Sequence, residues 1–314
     1  MREYEAVVIG GGAAGLSAAT VLARARRRVM VLDAGAPRNA PARHLHGFLS
    51  RDGMDPAALL AAGREEVSAY GGEILCARVT SVEQHDGGFR IHCEDGAAFT
   101  ARAVLVATGL RDELPSVPGV AEQWGTDVLH CPYCHGYEVR DTAIGVLGGD
   151  NRPFTVHQAA LIRQWSADVI FFPNRIALSE DERRRITARG TRIFDGAVTR
   201  LVVDDGRLRG VELAGGETIP RSAIFVGPCF IPRDDLLTGL GCAVGEDGWV
   251  SVTGAGRTSI DGVWAAGNVA DSPAQVIGAA AAGSRAAIDM NHYLLDQDVR
   301  RALAGSGNVP VAAR

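Results

Sequence analysis

Lysine is absent from this 314-residue chain, and all 32 of its basic residues are arginine. That excludes a lysine Schiff base and a phosphate loop built around Gly-Lys-Ser/Thr. No apolar run approaches the ~20 residues that a membrane-spanning helix needs, so no membrane association is expected. The net charge is −5 and no basic stripe runs along the chain, so a nucleic-acid partner is not expected either. The N-terminus runs straight into an apolar strand, without a charged-then-apolar leader, and a cytoplasmic location is expected. Cysteine is sparse, with six residues, and in a cytosolic chain such residues are more often catalytic or inert than structural disulfides. Only Cys131 and Cys134 stand at a spacing with chemical meaning. Cys76, Cys93, Cys229 and Cys242 are expected to be packing residues.

What the chain does have is glycine, 39 residues of it, and 46% hydrophobic content. Together they describe a globular α/β protein with many tight turns, long enough for two cores. Residues 5–35 read strand, Gly turn, small-residue helix, strand, which is what a parallel βαβ unit needs. A second strand, AVLVATG at 103–109, ends in another small-residue turn. DTAIGVLGG at 141–149 restarts the pattern and is followed by a helix and the strand DVIFF. GVWAAGNVA at 262–270 runs into an Ala-rich helix. The expected fold class is α/β, with two Rossmann-like nucleotide-binding domains, the second inserted into the first. Pro and Gly interruptions set the boundaries. Residues 1–114 and 241–303 form one discontinuous domain, 115–240 the inserted one, and 304–314 an aperiodic, disordered tail.

Gly10-x-Gly12-x-x-Gly15 follows a strand and opens a helix, and Asp33 ends the next strand. The first glycine permits the turn, the second admits a pyrophosphate, and the third lets helix and strand pack closely. The helix N-terminus meets the phosphates, and Asp33 accepts from ribose hydroxyls. This turn alone does not separate NAD from FAD.

Cys131-Pro-Tyr-Cys134-His135-Gly-Tyr-Glu138 is the most informative stretch. Two thiols separated by two residues close a small-loop disulfide that Pro132 stiffens. Half a zinc site is the competing reading, but His130 and His135 stand too near the pair to chelate easily and no second Cys-x-x-Cys exists; no metal is expected. A neutral imidazole at His135 can take a thiol proton at physiological pH. The bland alternative is a His packed under the loop.

The segments Ala107-Thr108-Gly109 and Val263-Trp264-Ala265-Ala266-Gly267-Asn268 resemble the later fingerprints of FAD domains in the pyridine-nucleotide disulfide oxidoreductase family. With the Cys pair about twenty residues past Gly109, the chain up to about Leu295 resembles the low-molecular-weight thioredoxin reductases. The resemblance implies FAD as cofactor and a homodimer. It also implies a helix opened by Ala274, Gln275 and Val276 toward the flavin, with Cys134 as the inner thiol and Cys131 as the outer one. Ala13, Ala14, Ala34, Arg38, Asn39, His46 and Val79 complete the expected cofactor lining, with His44 a rival to His46 in its loop. Asn268 departs from the family's Asp, though an amide still donates and accepts.

Two further departures redirect the function. His135 replaces the reductases' Asp, and Cys-x-x-Cys-His looks like the FAD-dependent dithiol oxidases that close disulfides in natural products of the gliotoxin and holomycin type. The second turn, Gly148-Gly149-Asp150-Asn151-Arg152-Pro153, carries a carboxylate where pyrophosphate must touch backbone, and Pro153 removes a donor. Phe172-Pro173-Asn174 stands where the reductases read the NADPH 2′-phosphate with His-Arg-Arg. The leading expectation is therefore oxidation of a small-molecule dithiol through Cys131–Cys134 and FAD to dioxygen, giving peroxide, in antibiotic biosynthesis or self-protection. His130 or His135 serves as base. The alternatives are a disulfide reductase with an unusual electron donor and a redox-sensing flavoprotein that turns over no thiol.

Overall fold

The computed structural model describes residues 2–306. In chain order it begins with β1 (Arg2–Ile9), α1 (Ala13–Arg24), β2 (Val29–Asp33), α2 (Pro56–Ala69), β3 (Glu73–Cys76), β4 (Val79–His85), β5 (Gly88–Cys93) and β6 (Ala98–Val106). There follow β7 (Leu110–Glu113), β8 (Val128–Leu129), α3 (Pro132–His135), β9 (Ile144–Leu147), α4 (Arg152–Leu161), β10 (Val169–Phe172) and α5 (Glu180–Thr187). Five short strands come next: β11 (Arg192–Ile193), β12 (Val198–Asp204), β13 (Arg207–Leu213), β14 (Thr218–Pro220) and β15 (Ala223–Val226). The chain ends with β16 (Cys229–Pro232), α6 (Asp235–Gly239), β17 (Val263–Ala265) and α7 (Val276–Ser306).

The chain divides into two compact units. The first comprises the chain up to Ala40, Asp55–Leu110, and everything from Pro232 on. Its sheet has the order β3-β2-β1-β6-β5-β4, with β17 also paired to β6. The strands β3, β2, β1, β6 and β17 run parallel, while β4–β5–β6 are antiparallel. One face packs Leu16, Leu22, Val31, Leu105 and Met290 under α1 and α7, and the other packs Ile9, Leu32, Ile91, Val104 and Val263. Burial on both faces explains why VVI and VLV read as continuous apolar runs rather than alternating ones.

The second unit comprises Pro41–Met54 and Arg111–Ile231. Its parallel sheet runs β11-β10-β9-β15-β8, beside a three-stranded antiparallel sheet β12-β13-β14. Both units thus carry a βαβ crossover, β1-α1-β2 and β9-α4-β10, as two nucleotide-type folds require.

Three expectations are corrected. Residues 41–54 cluster with the second unit, because Pro41 packs against Gly125, where an added Cβ would stand 2.6 Å from the proline ring. The later boundary lies at Ile231/Pro232 rather than at 240/241, because Leu236, Leu237 and Leu240 fill the first unit's second core. Residues 304–306 continue α7 instead of starting the tail, and 307–314 lie outside the described residues.

Candidate active site

In the first unit the Gly-rich turn is shaped by what its glycines exclude. Gly10 has φ +108°, and a Cβ there would meet the Ala107 carbonyl oxygen at 2.4 Å. A Cβ at Gly15 would meet the Gly10 carbonyl oxygen at 1.9 Å, so α1 leaves the strand with no room for a side chain. Gly12 differs: a Cβ there finds nothing within 4 Å, and its backbone borders open space. Gly12 caps α1 without a side-chain hydrogen bond, and no acidic residue stands in the helix's first turn. Unsatisfied N–H groups and the helix dipole therefore face that space, an arrangement that suits a pyrophosphate.

The structure draws the scattered candidates together around this turn. Asp33 places its carboxylate beside Gly11, 2.6 Å from the position of an added Cβ. The Gly267 backbone lies against Ala14, whose Cβ is 2.9 Å from an added Cβ. Asn268 donates through Nδ2 to the carbonyls of Asp271 (3.0 Å), Ser272 (3.2 Å) and Ala274 (2.9 Å), while Oδ1 accepts from Arg38 at 3.3 Å. The amide is thereby fixed in orientation, and it organises the segment leading to Gln275 and the start of α7 at Val276. Thr108 donates its hydroxyl to the Arg233 carbonyl at 2.6 Å.

Beyond Asp33 opens a cleft of about 400 Å³ lined by Ala34, Cys76, Ala77, Arg78, Glu94 and Asp95. Sequence reasoning found Ala34 but missed the other five residues, which form no motif; the signal was their place at the C-terminal ends of β3 and β5. Val79 instead packs on the second core. Cys76 is exposed, against the expectation of a packing residue, because it ends an edge strand. Cys93 and Cys242 are buried, and burial raises both thiols.

In the second unit Cys131 and Cys134 form a disulfide. Cys131 caps α3, Pro132 occupies its first turn, and the Cys131 carbonyl accepts from the N–H groups of both Cys134 and His135 at 3.1 Å. Gly136 follows because a Cβ there would meet the Pro132 carbonyl at 2.5 Å and Trp165 Nε1 at 2.8 Å. Glu138 follows in the turn after α3, near enough for its charge to act on the His135 imidazole.

Burial holds the His135 imidazole below its ordinary value; Glu138 pulls it up and His46 pushes it down, and burial prevails. His135 is therefore a neutral base at pH 7. His46, expected at the cofactor, lies in this unit instead: Nε2 stands 3.4 Å from Glu138 Oε1 and Nδ1 3.4 Å from Asp52 Oδ2. Its loop is pinned by Leu45 N to Met54 O, Gly53 N to Leu45 O and Gly47 N to Asp52 Oδ1, each at 2.9 Å. His44 turns its Nδ1 to the Gly53 carbonyl at 3.1 Å. The His130 ring is held by aromatics, stacked on Trp124 at 5.6 Å and edge-on to Phe230 at 6.2 Å, while its carbonyl accepts from Gln158 at 2.5 Å.

The second Gly turn is occupied by the protein's own groups. Arg152 opens α4 and donates to Glu182 at 2.7 Å and to the Ala177 carbonyl at 3.0 Å. That hydrogen bond is the main cause that holds Glu182 down at about 2. Asn151 donates to the Pro228 carbonyl at 2.9 Å. Asn174, with φ +55°, accepts from Val198 N at 3.0 Å, and Phe172 and Pro173 are buried. Asp150 is exposed at the turn's tip. Pro153 lacks the donor, as expected from the sequence, but it stands in the first turn of α4, where a missing N–H costs nothing and the helix is not broken.

Residues 4–283 match the family described as "Pyridine nucleotide-disulphide oxidoreductase". The chain belongs to this family. Its structure is similar to that of HlmI, with TM-score 0.94 and 53% identity over 97% of this chain and 96% of that one. It also resembles a putative thioredoxin reductase TrxB from Bacillus anthracis, with TM-score 0.89 and 31% identity over 94% of this chain and 99% of that one. Among curated relatives, thioredoxin reductase sirT of Leptosphaeria maculans is 32% identical over 94% of this chain and 96% of its own. A probable thioredoxin reductase of Arthroderma benhamiae is 39% identical, but the match spans 47% of this chain and 38% of that protein. The chain is thus a thioredoxin-reductase-like flavoprotein oxidoreductase that binds FAD. Among the described residues, no helix is long and apolar enough to cross a membrane.

Proposed function

We propose that the protein is an FAD-dependent dithiol oxidase that closes an intramolecular disulfide in a small molecule. The observation that carries this reading is His135, an imidazole kept neutral by burial in the residue after Cys134. A disulfide reductase delivers protons at this point, whereas an oxidase must remove them, and a neutral imidazole does so at pH 7.

In the proposed reaction a ring nitrogen of His135 takes the proton of one substrate thiol. The thiolate attacks the Cys131 sulfur, the Cys131–Cys134 bond breaks, and a substrate–Cys131 mixed disulfide forms as Cys134 leaves as a thiolate. The second substrate thiol loses its proton and attacks the substrate sulfur, releasing Cys131 and closing the product ring. The substrate gives up two electrons and two protons. His46, between Glu138 and Asp52, offers the protons a route to the exposed carboxylates. FAD held at the Gly10–Gly15 turn would supply the acceptor for the two electrons of the reduced pair, and dioxygen, taking up two protons, would be the final acceptor as hydrogen peroxide. Gly10, Gly12, Gly15, Asp33, Ala107, Gly267 and Asn268 would hold the cofactor, since the open backbone at Gly12 fits its pyrophosphate.

NADPH has no place in this scheme. Arg152 and Asn151 spend their donors on the protein's own carbonyls and carboxylate, Asn174 accepts from the Val198 N–H, and Asp150 adds a like charge. A homodimer and a role in antibiotic biosynthesis or self-protection belong to the same proposal on the resemblance alone, and a cytoplasmic location is proposed with them. The names of the curated relatives favour a second reading, reduction of a thioredoxin-like disulfide. Oxygen uptake decides between them: the oxidase consumes oxygen with dithiol alone and yields one peroxide per disulfide, and the reductase reading wins if turnover requires a pyridine nucleotide.

A further inference from the structure

Large apolar side chains exposed to water are informative when they cluster. Among the described residues of the second unit, those that stand out are Leu49 (85% exposed), Tyr133 (65%), Tyr137 (65%) and Val203 (37%). Three of these four belong to the disulfide turn or to the loop that presents His46. Tyr133 lies between the two cysteines on α3, and Tyr137 stands in the turn that follows it, two residues past His135. Leu49 stands three residues from His46, whose ring meets Glu138 at 3.4 Å.

The two tyrosines are held in place while remaining open. The Tyr133 ring rests edge-on against Trp165 with 5.7 Å between centroids. The Arg140 guanidinium lies 3.9 Å over the Tyr137 ring and donates to the Tyr137 carbonyl at 2.7 Å. Rigid exposed aromatics lose little freedom on contact with a ligand, which is why they serve as anchors at binding surfaces. The neighbouring carboxylates, Glu138 and Asp52, repel anions, and Arg140 is already engaged with Tyr137.

We infer that Leu49, Tyr133 and Tyr137 form a specificity-determining rim around the disulfide, which selects dithiols carried on an uncharged, apolar body. The inference rests on the dithiol-oxidase reading and adds the substrate's character to it. A protein dithiol is the rival occupant; the rim is small and carries its own charge bias, so a small molecule is the one proposed.

The test measures oxygen uptake by the flavin-loaded enzyme with two matched pairs. o-Xylene-α,α′-dithiol and dithiothreitol are both neutral and both close six-membered disulfides, so they isolate the apolar body. Dihydrolipoamide and dihydrolipoate share a scaffold and isolate charge. The rim predicts kcat/KM for the xylene dithiol above that for dithiothreitol by about tenfold or more, mostly through KM, as two ring contacts would give. It also predicts dihydrolipoamide ahead of dihydrolipoate. Tyr133→Ser, Tyr137→Ser and Leu49→Ser should shrink the first ratio, and Tyr133→Phe and Tyr137→Phe should keep it. Equal kcat/KM for all four dithiols overturns the rim and leaves the oxidase standing. Reduced thioredoxin oxidised faster than any of them also overturns it, in favour of the protein partner. No oxygen uptake with any dithiol overturns the rim together with the function it rests on.

Discussion

Replacing His135 by alanine removes the base that the proposed chemistry needs first, and the size of the defect follows from the thiol rather than from the protein. An ordinary thiol with a pKa of about 8.5 is about 3% thiolate at pH 7. A base that lets the whole thiol population react thus contributes about 30-fold for one thiol, and about 10³-fold where both substrate thiols depend on it. The second value falls within the ~10²–10⁴-fold typical of general-base catalysis, and the first lies somewhat below it. His135→Ala should slow flavin reduction by dithiol by that factor at pH 7. The defect should shrink about tenfold per pH unit for one thiol and fade near pH 9, where substrate ionises without help. The wild-type rate has an acid limb of its own. Burial lowers His135 below 6.5, so the ring stays neutral as pH falls through that value, and the rate should decline only further down. Anaerobic stopped-flow from pH 5.5 to 9.5 reads both limbs, with flavin content and reoxidation by oxygen as controls that should not move. A defect of constant size at every pH would refute the base assignment. Full activity in His135→Ala with loss in His130→Ala would transfer the role to His130, despite its ring being stacked between Trp124 and Phe230.

Three other outcomes are expected. Gly12→Val should yield folded protein depleted of flavin, since its side chain enters the space left for the pyrophosphate, whereas Gly15→Ala should lower the melting temperature because its Cβ meets the Gly10 carbonyl; absorbance at the flavin band and thermal melts separate the two. Cys134→Ser should leave Cys131 able to attack an added neutral disulfide such as 2,2′-dithiodipyridine, releasing pyridine-2-thione and forming a Cys131 mixed disulfide visible by intact mass, and faster reaction in Cys131→Ser instead would reverse the roles of the pair. Glu5 and Asp298 both sit among Arg27 and Arg102; burial pushes their carboxyls up, but the arginine hydrogen bonds and charges, joined at Glu5 by the Arg28 N–H, outweigh it and leave both lowered. Stability from these groups is present above the carboxylate range and is lost as pH falls below about 4, so Glu5→Gln with Asp298→Asn should flatten the acid side of a melting-temperature profile.

The Gly10–Gly15 turn, Asp33 and the Cys131–Cys134 pair were legible in the sequence because each is a local pattern whose spacing is fixed by backbone geometry. The helix start near Ala274 to Val276 was legible through the resemblance, and α7 begins at Val276. The place of His46 was not: its approach to Glu138 joins two distant stretches of chain, and nothing in the loop 41–54 tells which fold it will pack against. The cleft at Cys76 to Arg78 was missed because strand ends that line a cavity need no particular residue types. Pro and Gly marked the loops near 115 and 232–240, but the domain to which α6 belongs was set by Leu237 entering a core, a matter of packing rather than of punctuation. The damage to the second nucleotide turn was visible as wrong residues, whereas the Arg152–Glu182 pair that fills it emerged only from the fold.

The most direct test of the central claim is an anaerobic comparison of electron donors on the same flavin-loaded preparation. Lost charge-assisted contacts are each worth roughly 1.5–3 kcal/mol, so the absence of several should weaken NADPH binding by orders of magnitude. Millimolar NADPH should leave the flavin band unbleached, whereas an apolar dithiol should bleach it within the turnover time, with peroxide forming once air is admitted. Rapid bleaching by micromolar NADPH, with none by any dithiol, would contradict the account and make the protein a reductase.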